Sequence, residues 1–196
     1  YAVRIADKLA TGNKPTDGVA GNNDGQVSAA EFEAALTAST SYIKNYFGAG
    51  LMHEDINPLK SSPVVSTHTE PIDSLAYRTS IEVFSAIVKK LADATNQQGS
   101  PVDGDGILTA LSEDIIDGRI DAKNHNTSII ELAIIATSTL QDIITSDPDT
   151  LTTPGTTSII SHITTVLNQN ARIISHTFDI NLLQPKNHIT TNTNYD

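Results

Sequence analysis

Cysteine is absent from all 196 residues. A disulfide frame, a thiolate metal site and a cysteine nucleophile are therefore excluded, although export is not. Basic side chains are sparse: 12 Lys and Arg stand against 23 Asp and Glu, leaving a formal charge of −11. Nucleic-acid binders need Lys and Arg to displace counterions from phosphate, so that class is argued against. Long apolar runs are missing as well. The nearest to one, Ile129 to Ala136, is far short of the ~20 residues of a membrane helix and carries Glu131. Catalytic signatures are equally thin. The histidines His53, His68, His125, His162, His176 and His188 are scattered without an H-E-x-x-H spacing. No G-x-S-x-G elbow and no Gly-rich phosphate loop occurs. His53, Glu54 and Asp55 form an acid/base grouping with no nucleophile beside it in sequence. The expectation is a protein without enzymatic activity.

What is present is a polar, weakly charged chain. Only 18% of residues are charged, while Ser, Thr and Asn abound, as on extracellular surfaces. Acidic charge of this size suits divalent cations. The chain opens at Tyr1 and its sole methionine is Met52, the pattern expected of a processed product from which a signal segment has gone.

Hydrophobic periodicity predicts a mainly α fold. Ala2, Ile5, Ala6 and Leu9 share one helical face, and a loop rich in Gly, Asn and Asp follows. Ser28, with Glu31 three residues on, opens a second helix to about Phe47. Residues 48 to 71 read as a surface connection with a short strand near 63–67. Apolar residues every three or four positions predict a long helix from Ile72 to Ala94, and a polar loop leads to another short helix closed by Gly118. An apolar helix is expected over 127–145, as the central core element or as a face covered by a neighbouring subunit, with Asn126 as its cap. A further helix is expected over 156–168. Phe178, Ile180 and Leu182 alternate with Asp179 and Asn181, which predicts a strand over 176–183. It can pair with 63–67 or add to a neighbour's sheet edge. Residues 1–183 are then one domain, with 184–196 as a tail.

Two acidic stretches carry the functional signal. Aligning 22–33 with 103–114 pairs Asn22 with Asp103, Asp24 with Asp105, Gly25 with Gly106 and Ser28 with Thr109. This suggests two related halves, 1–47 and 72–121, with 127–168 as an added helical segment. Calcium takes roughly six to eight oxygen ligands, which alternate residues of a tight loop supply when a glycine permits the bend. In the first stretch the candidate ligands are Asp17, Asn22, Asp24, the Gln26 carbonyl, Ser28 and Glu31. In the second they are Asp103, Asp105, the Ile107 carbonyl, Asp114, Asp117 and Asp121.

Residues 20–36 resemble the calcium loop and exiting helix of dockerin and EF-hand modules. The second stretch resembles them with departures: Pro101 and Ser112 stand where that family places acids, and Ala20 does so in the first. Residues 56–121, from "INPLKSSPVV" to "DIIDGRID", are similar to modules of bacterial secreted surface proteins and lipoproteins. These resemblances imply a helical bundle with two helix–loop–helix calcium units, Ca2+ as the bound ion and a place at the cell surface. The partners expected are further copies of the chain or another surface protein. A dockerin-like binding module and a fragment of a secreted hydrolase are the alternatives.

Overall fold

The amphipathic stripe at the start of the chain forms helix α1, Ala2–Thr11, which buries Ala2, Ile5, Ala6, Leu9 and Ala10. The computed structural model describes residues 1–11, 26–48, 51–52, 54–64 and 71–144. Helix α2, Ala29–Tyr42, begins at the expected cap, Ser28, and runs on into a π-helical turn, Ile43–Phe47. Helix α3 spans Pro71–Gln97, a few residues beyond the periodic stretch at its C-terminal end. Helix α4, Gly104–Asp114, passes into a tight 3-10 turn, Ile115–Asp117. Gly118 closes that turn at φ 79°, a left-handed conformation that glycine adopts without a Cβ penalty. Strands β1, Lys123–Asn124, and β2, Thr127–Ser128, form a small antiparallel sheet. Helices α5, Ile130–Ala133, and α6, Thr137–Ile144, follow. The fold is mainly helical with one short β element.

The chain divides into two compact units. The first joins residues 1–43 to 87–144. In it α1 packs on α2 and on α4, while α4 also meets β1 and α5. Ile5, Ala6, Ala35, Leu91, Ile107, Leu111, Ile115, Leu132 and Leu140 are fully enclosed apolar side chains among its described residues. Of the described residues, 44–48, 51–52, 54–64 and 71–86 belong to the second unit. There the rings of Phe47 and Phe84 lie 4.7 Å apart, tilted by 53°, within the range of favourable aromatic pairs. Tyr77 donates its hydroxyl to the Pro58 carbonyl at 2.7 Å, fixing the Asn57–Lys60 turn.

The many hydroxyl side chains are accommodated inside helices. Ser39, Thr79, Ser80, Thr95 and Ser112 are buried, and each donates to a carbonyl three or four residues earlier.

The segment expected as one helix over 127–145 is broken instead. Thr127 and Ser128 pair with Asn124 and Lys123 in the sheet, and Ile129 donates to the Ala122 carbonyl at 2.9 Å. Those bonds draw the chain out of helical geometry, so only short helices form beyond them. The apolar period survives in the burial of Ile129, Leu132 and Ile135, while Ile130 is left 82% exposed. Asn126 therefore sits in the hairpin turn and caps no helix. Of the strand expected at 63–67, residues 63 and 64 form a bend, and 65–67 lie outside the described residues. The helix at 156–168, the strand at 176–183 and the tail at 184–196 also lie outside them.

Candidate metal centre

Three of the proposed ligands of the first stretch, Asp17, Asn22 and Asp24, lie outside the described residues. Gln26 is exposed just ahead of α2. Ser28 and Glu31 are engaged with each other's backbone. The Glu31 N–H donates to Ser28 Oγ at 3.2 Å, and the Ser28 N–H donates to Glu31 Oε2 at 2.7 Å. This reciprocal capping box satisfies two otherwise open donors at the start of α2.

The second stretch is split between the two ends of α4. Asp103 caps the N-terminus, accepting the Gly106 N–H at 2.8 Å. A Cβ at Gly106 would lie 2.6 Å from Val102 Cγ1, so a side chain there would force Val102 to move. Asp105 extends into solvent, its side chain 75% exposed, and pairs with Arg4 at 3.0 Å. Ile107 is buried inside the helix, where its carbonyl faces along the axis toward the next turn. Ser112 is also buried and donates to the Thr109 carbonyl. The aligned halves differ as well: Ser28 caps α2, whereas its counterpart Thr109 lies within α4. From Asp103 to Asp114 the helix rises roughly 16 Å at about 1.5 Å per residue, so the two groups of acids do not share one ion.

At the C-terminal end, Asp114, Asp117 and Asp121 come together around the hairpin. Ala122 has φ 64°, a left-handed conformation, and it turns the N–H groups of its two neighbours to one side. Both reach the same oxygen. Asp121 N–H and Lys123 N–H donate to Asp114 Oδ1 at 3.2 and 3.0 Å. Successive amides around a left-handed residue make an anion-binding nest, and here the anion is a side chain of the same chain. Asp117 works alongside. Its Oδ1 accepts Arg119 N–H at 3.0 Å and its Oδ2 accepts His125 N–H at 3.1 Å. His125 is itself left-handed, at φ 53°.

The register explains why alternate residues are captured. With Lys123 opposite Ser128 and Asn124 opposite Thr127, the N–H groups of 121, 123 and 125 face away from β2. The two carboxylates stand where a third strand's carbonyls would be, closing an edge that would otherwise invite pairing. A hairpin of two-residue strands has little stability of its own, so these bonds fix it to α4.

This arrangement is electrostatically costly. Asp114 is 0% exposed, and burial pushes its carboxyl up to about 7 against the two backbone N–H bonds, with the charges of Asp121 and Asp117 adding to the rise. Asp117 is raised in the same way, burial first. Burial and the charge of Asp114 raise the Tyr1 phenol. The negative end of the α4 dipole adds a further unfavourable field at these acids. Two oxygens, Asp114 Oδ2 and Asp121 Oδ1, are enclosed without a hydrogen-bond partner. Among the described residues, no three His, Asp or Glu side chains gather closely enough to hold a metal ion by themselves. A cation here would take two carboxylates and complete its shell with neutral oxygens, which calcium accepts.

Beside the hairpin lies an open concavity of about 580 Å³ lined by Glu113, residues 124–129, Ile130 and Glu131. Glu113 on its wall pairs with Lys8 at 2.5 Å. Sequence reasoning found the acids of this centre but missed the backbone of 121–125 as their partner. The local signal was weak, because Ala122 is not a residue that advertises a left-handed turn, and only His125 belongs to a type enriched there. Comparison of the chain with models of protein families, with curated proteins and with solved structures finds no match.

Proposed function

We propose that this chain is a calcium-stabilised structural or adhesive module of an extracellular bacterial surface protein, without enzymatic activity. One observation carries the reading. A fully buried carboxylate, Asp114, holds the hairpin to α4 while one of its oxygens has no partner. An unpaired buried charge costs several kcal/mol, on the order of the whole stability of a domain, and a bound cation removes that cost. Calcium outside a cell is abundant, so the module is firm there and looser where calcium is scarce. Among the described residues no helix is long and apolar enough to cross a membrane. The exposed Ile130 and Ile134 offer apolar area for contact with further copies or another surface protein.

The test is calorimetric titration of chelator-stripped protein with calcium, with melting and light scattering at each end point. The expected result is saturable binding with a rise in Tm, the linkage amounting to about 2.7 kcal/mol at a hundredfold excess over Kd. Added scattering marks self-assembly. Absence of both heat and thermal shift at millimolar calcium overturns the reading.

A further inference from the structure

We propose that the open concavity beside the hairpin 123–128 is a binding site for a neutral saccharide, a step that rests on the adhesive half of the reading above and names its ligand class. The concavity measures about 580 Å³, the size of a site for a small ligand. Its lining is polar. Asn124, Asn126, Thr127, Ser128 and Glu131 line it, and their side chains make no hydrogen bond to any described residue. These groups are left for water or for a ligand.

Charge narrows the ligand class. Glu113 and Glu131 are among the lining residues, and no Lys or Arg is among the described ones, so phosphates and other anions are repelled. Glu113 already pairs with Lys8, which leaves Glu131 as one open carboxylate, too few for a bare cation. The remaining groups ask for a partner that donates and accepts at once. Amides and hydroxyls each do both, and a carboxylate accepts from two hydroxyls. A sugar ring presents such hydroxyls together with a C–H face, for which Ile130, 82% exposed among the same lining residues, is an apolar seat. An extended peptide fits less well. It pairs with a row of open backbone groups, whereas β2 has two residues and only Ser128 turns its N–H and C=O away from β1.

The walls are set before a ligand arrives. Asp114 holds the Lys123 amide, Asp117 holds the His125 amide, and the Ile129 N–H is tied to the Ala122 carbonyl. The backbone that carries Asn124, Asn126 and Ser128 therefore needs little ordering on binding, which favours affinity.

The experiment screens the full chain on an array of neutral oligosaccharides and titrates it with maltotriose, cellotriose, mannotriose and chitotriose to millimolar concentration, following the amide signals of 122–131. Inorganic phosphate and trilysine are run beside them. A saccharide is expected to shift these signals saturably while phosphate and trilysine do not. Glu131→Ala should weaken that binding at least ~10-fold and Asn126→Ala roughly 5-fold, as for one hydrogen bond to a charged and to a neutral group. Both residues are exposed, so melting curves should show these variants folded. Lys89→Ala, an exposed position on α3, should bind as the wild type does. Silence across the array and the four sugars overturns the proposal, as does wild-type affinity in both Glu131→Ala and Asn126→Ala. Shifts with trilysine in place of sugars also overturn it, giving the concavity to a basic peptide. The calcium titration is read separately: sugar binding without calcium binding overturns only calcium stabilisation, and calcium binding without sugar binding overturns only this site.

Discussion

The two ends of α4 place acidic residues in opposite physical settings. At the N-terminus, Asp103 and Asp105 meet the positive end of the helix dipole, and each has a partner, the Gly106 amide and Arg4. At the C-terminus, Asp114 and Asp117 meet the negative end, and Asp114 is buried with one oxygen unpartnered. Acids at the start of a helix help the helix and need no further explanation. Acids at its end oppose it and persist only because they hold something else, in this case the amides of residues 119, 121, 123 and 125.

The largest effect that sharpens this contrast is the pH dependence of the metal-free protein. The carboxyl of Asp114 titrates near 7 in the folded chain and near 3.9 when unfolded, so the protonated form is the one that folding favours. Its contribution is fully present below about pH 4 and is lost as pH rises through about 7, on the order of 4 kcal/mol. The raised carboxyl of Asp117 acts in the same direction. Urea unfolding of chelator-treated protein at pH 4.5 and pH 8 checks this, and a flat profile contradicts the buried setting of Asp114.

Next in size is Asp114→Ala at mildly acid pH, which strands the amides of 121 and 123. A loss of about 3 kcal/mol is expected, as when hydrogen-bond donors are left without their acceptor. Hydrogen exchange should accelerate first at 121 to 125, whereas uniform acceleration over the whole chain would mean that the hairpin is not a separate unit. At the opposite end, Asp103→Ala removes only a cap, with about 1 kcal/mol lost from the unfolding free energy. A loss as large as that of Asp114→Ala would erase the distinction between the two ends.

The smaller predictions concern geometry and exposed charge. Arg4→Ala removes an exposed pair with Asp105 and a part-buried hydrogen bond to Thr109 Oγ1, and should lower stability by about 0.5–1 kcal/mol, the ion-pair share fading at high salt. Ala122→Gly relieves the left-handed backbone but removes a methyl that is only 4% exposed, so the two effects offset and stability should change by no more than about 0.5 kcal/mol, read from the midpoint of unfolding.

Helices were the legible part of this chain. The stripe Ala2, Ile5, Ala6 and Leu9, the capping box of Ser28 and Glu31, and the period through Leu75, Tyr77, Ile81, Phe84, Val88 and Leu91 all fall in helices, although α3 buries Val83 and Ile87 and leaves Ile81 38% exposed. Such patterns are local, within four residues along the chain, so sequence carries them directly. The candidate centre was legible only as an accumulation of acids. Its partition between the ends of α4, and the placing of Ser112 in the core, depended on where the helix starts and which face it buries.

By itself the sequence determined that the chain is acidic, free of thiols and mainly helical, because charge, composition and the 3.6-residue period need no partner from elsewhere in the chain. Tertiary structure alone decided that Asp114 is the acid at the centre. An aspartate becomes a buried anchor only when a turn several residues later, at Asp121 to Lys123, brings two amides onto it and excludes water from its second oxygen. That outcome depends on packing between α1, α4 and the hairpin, and no spacing along the chain records it.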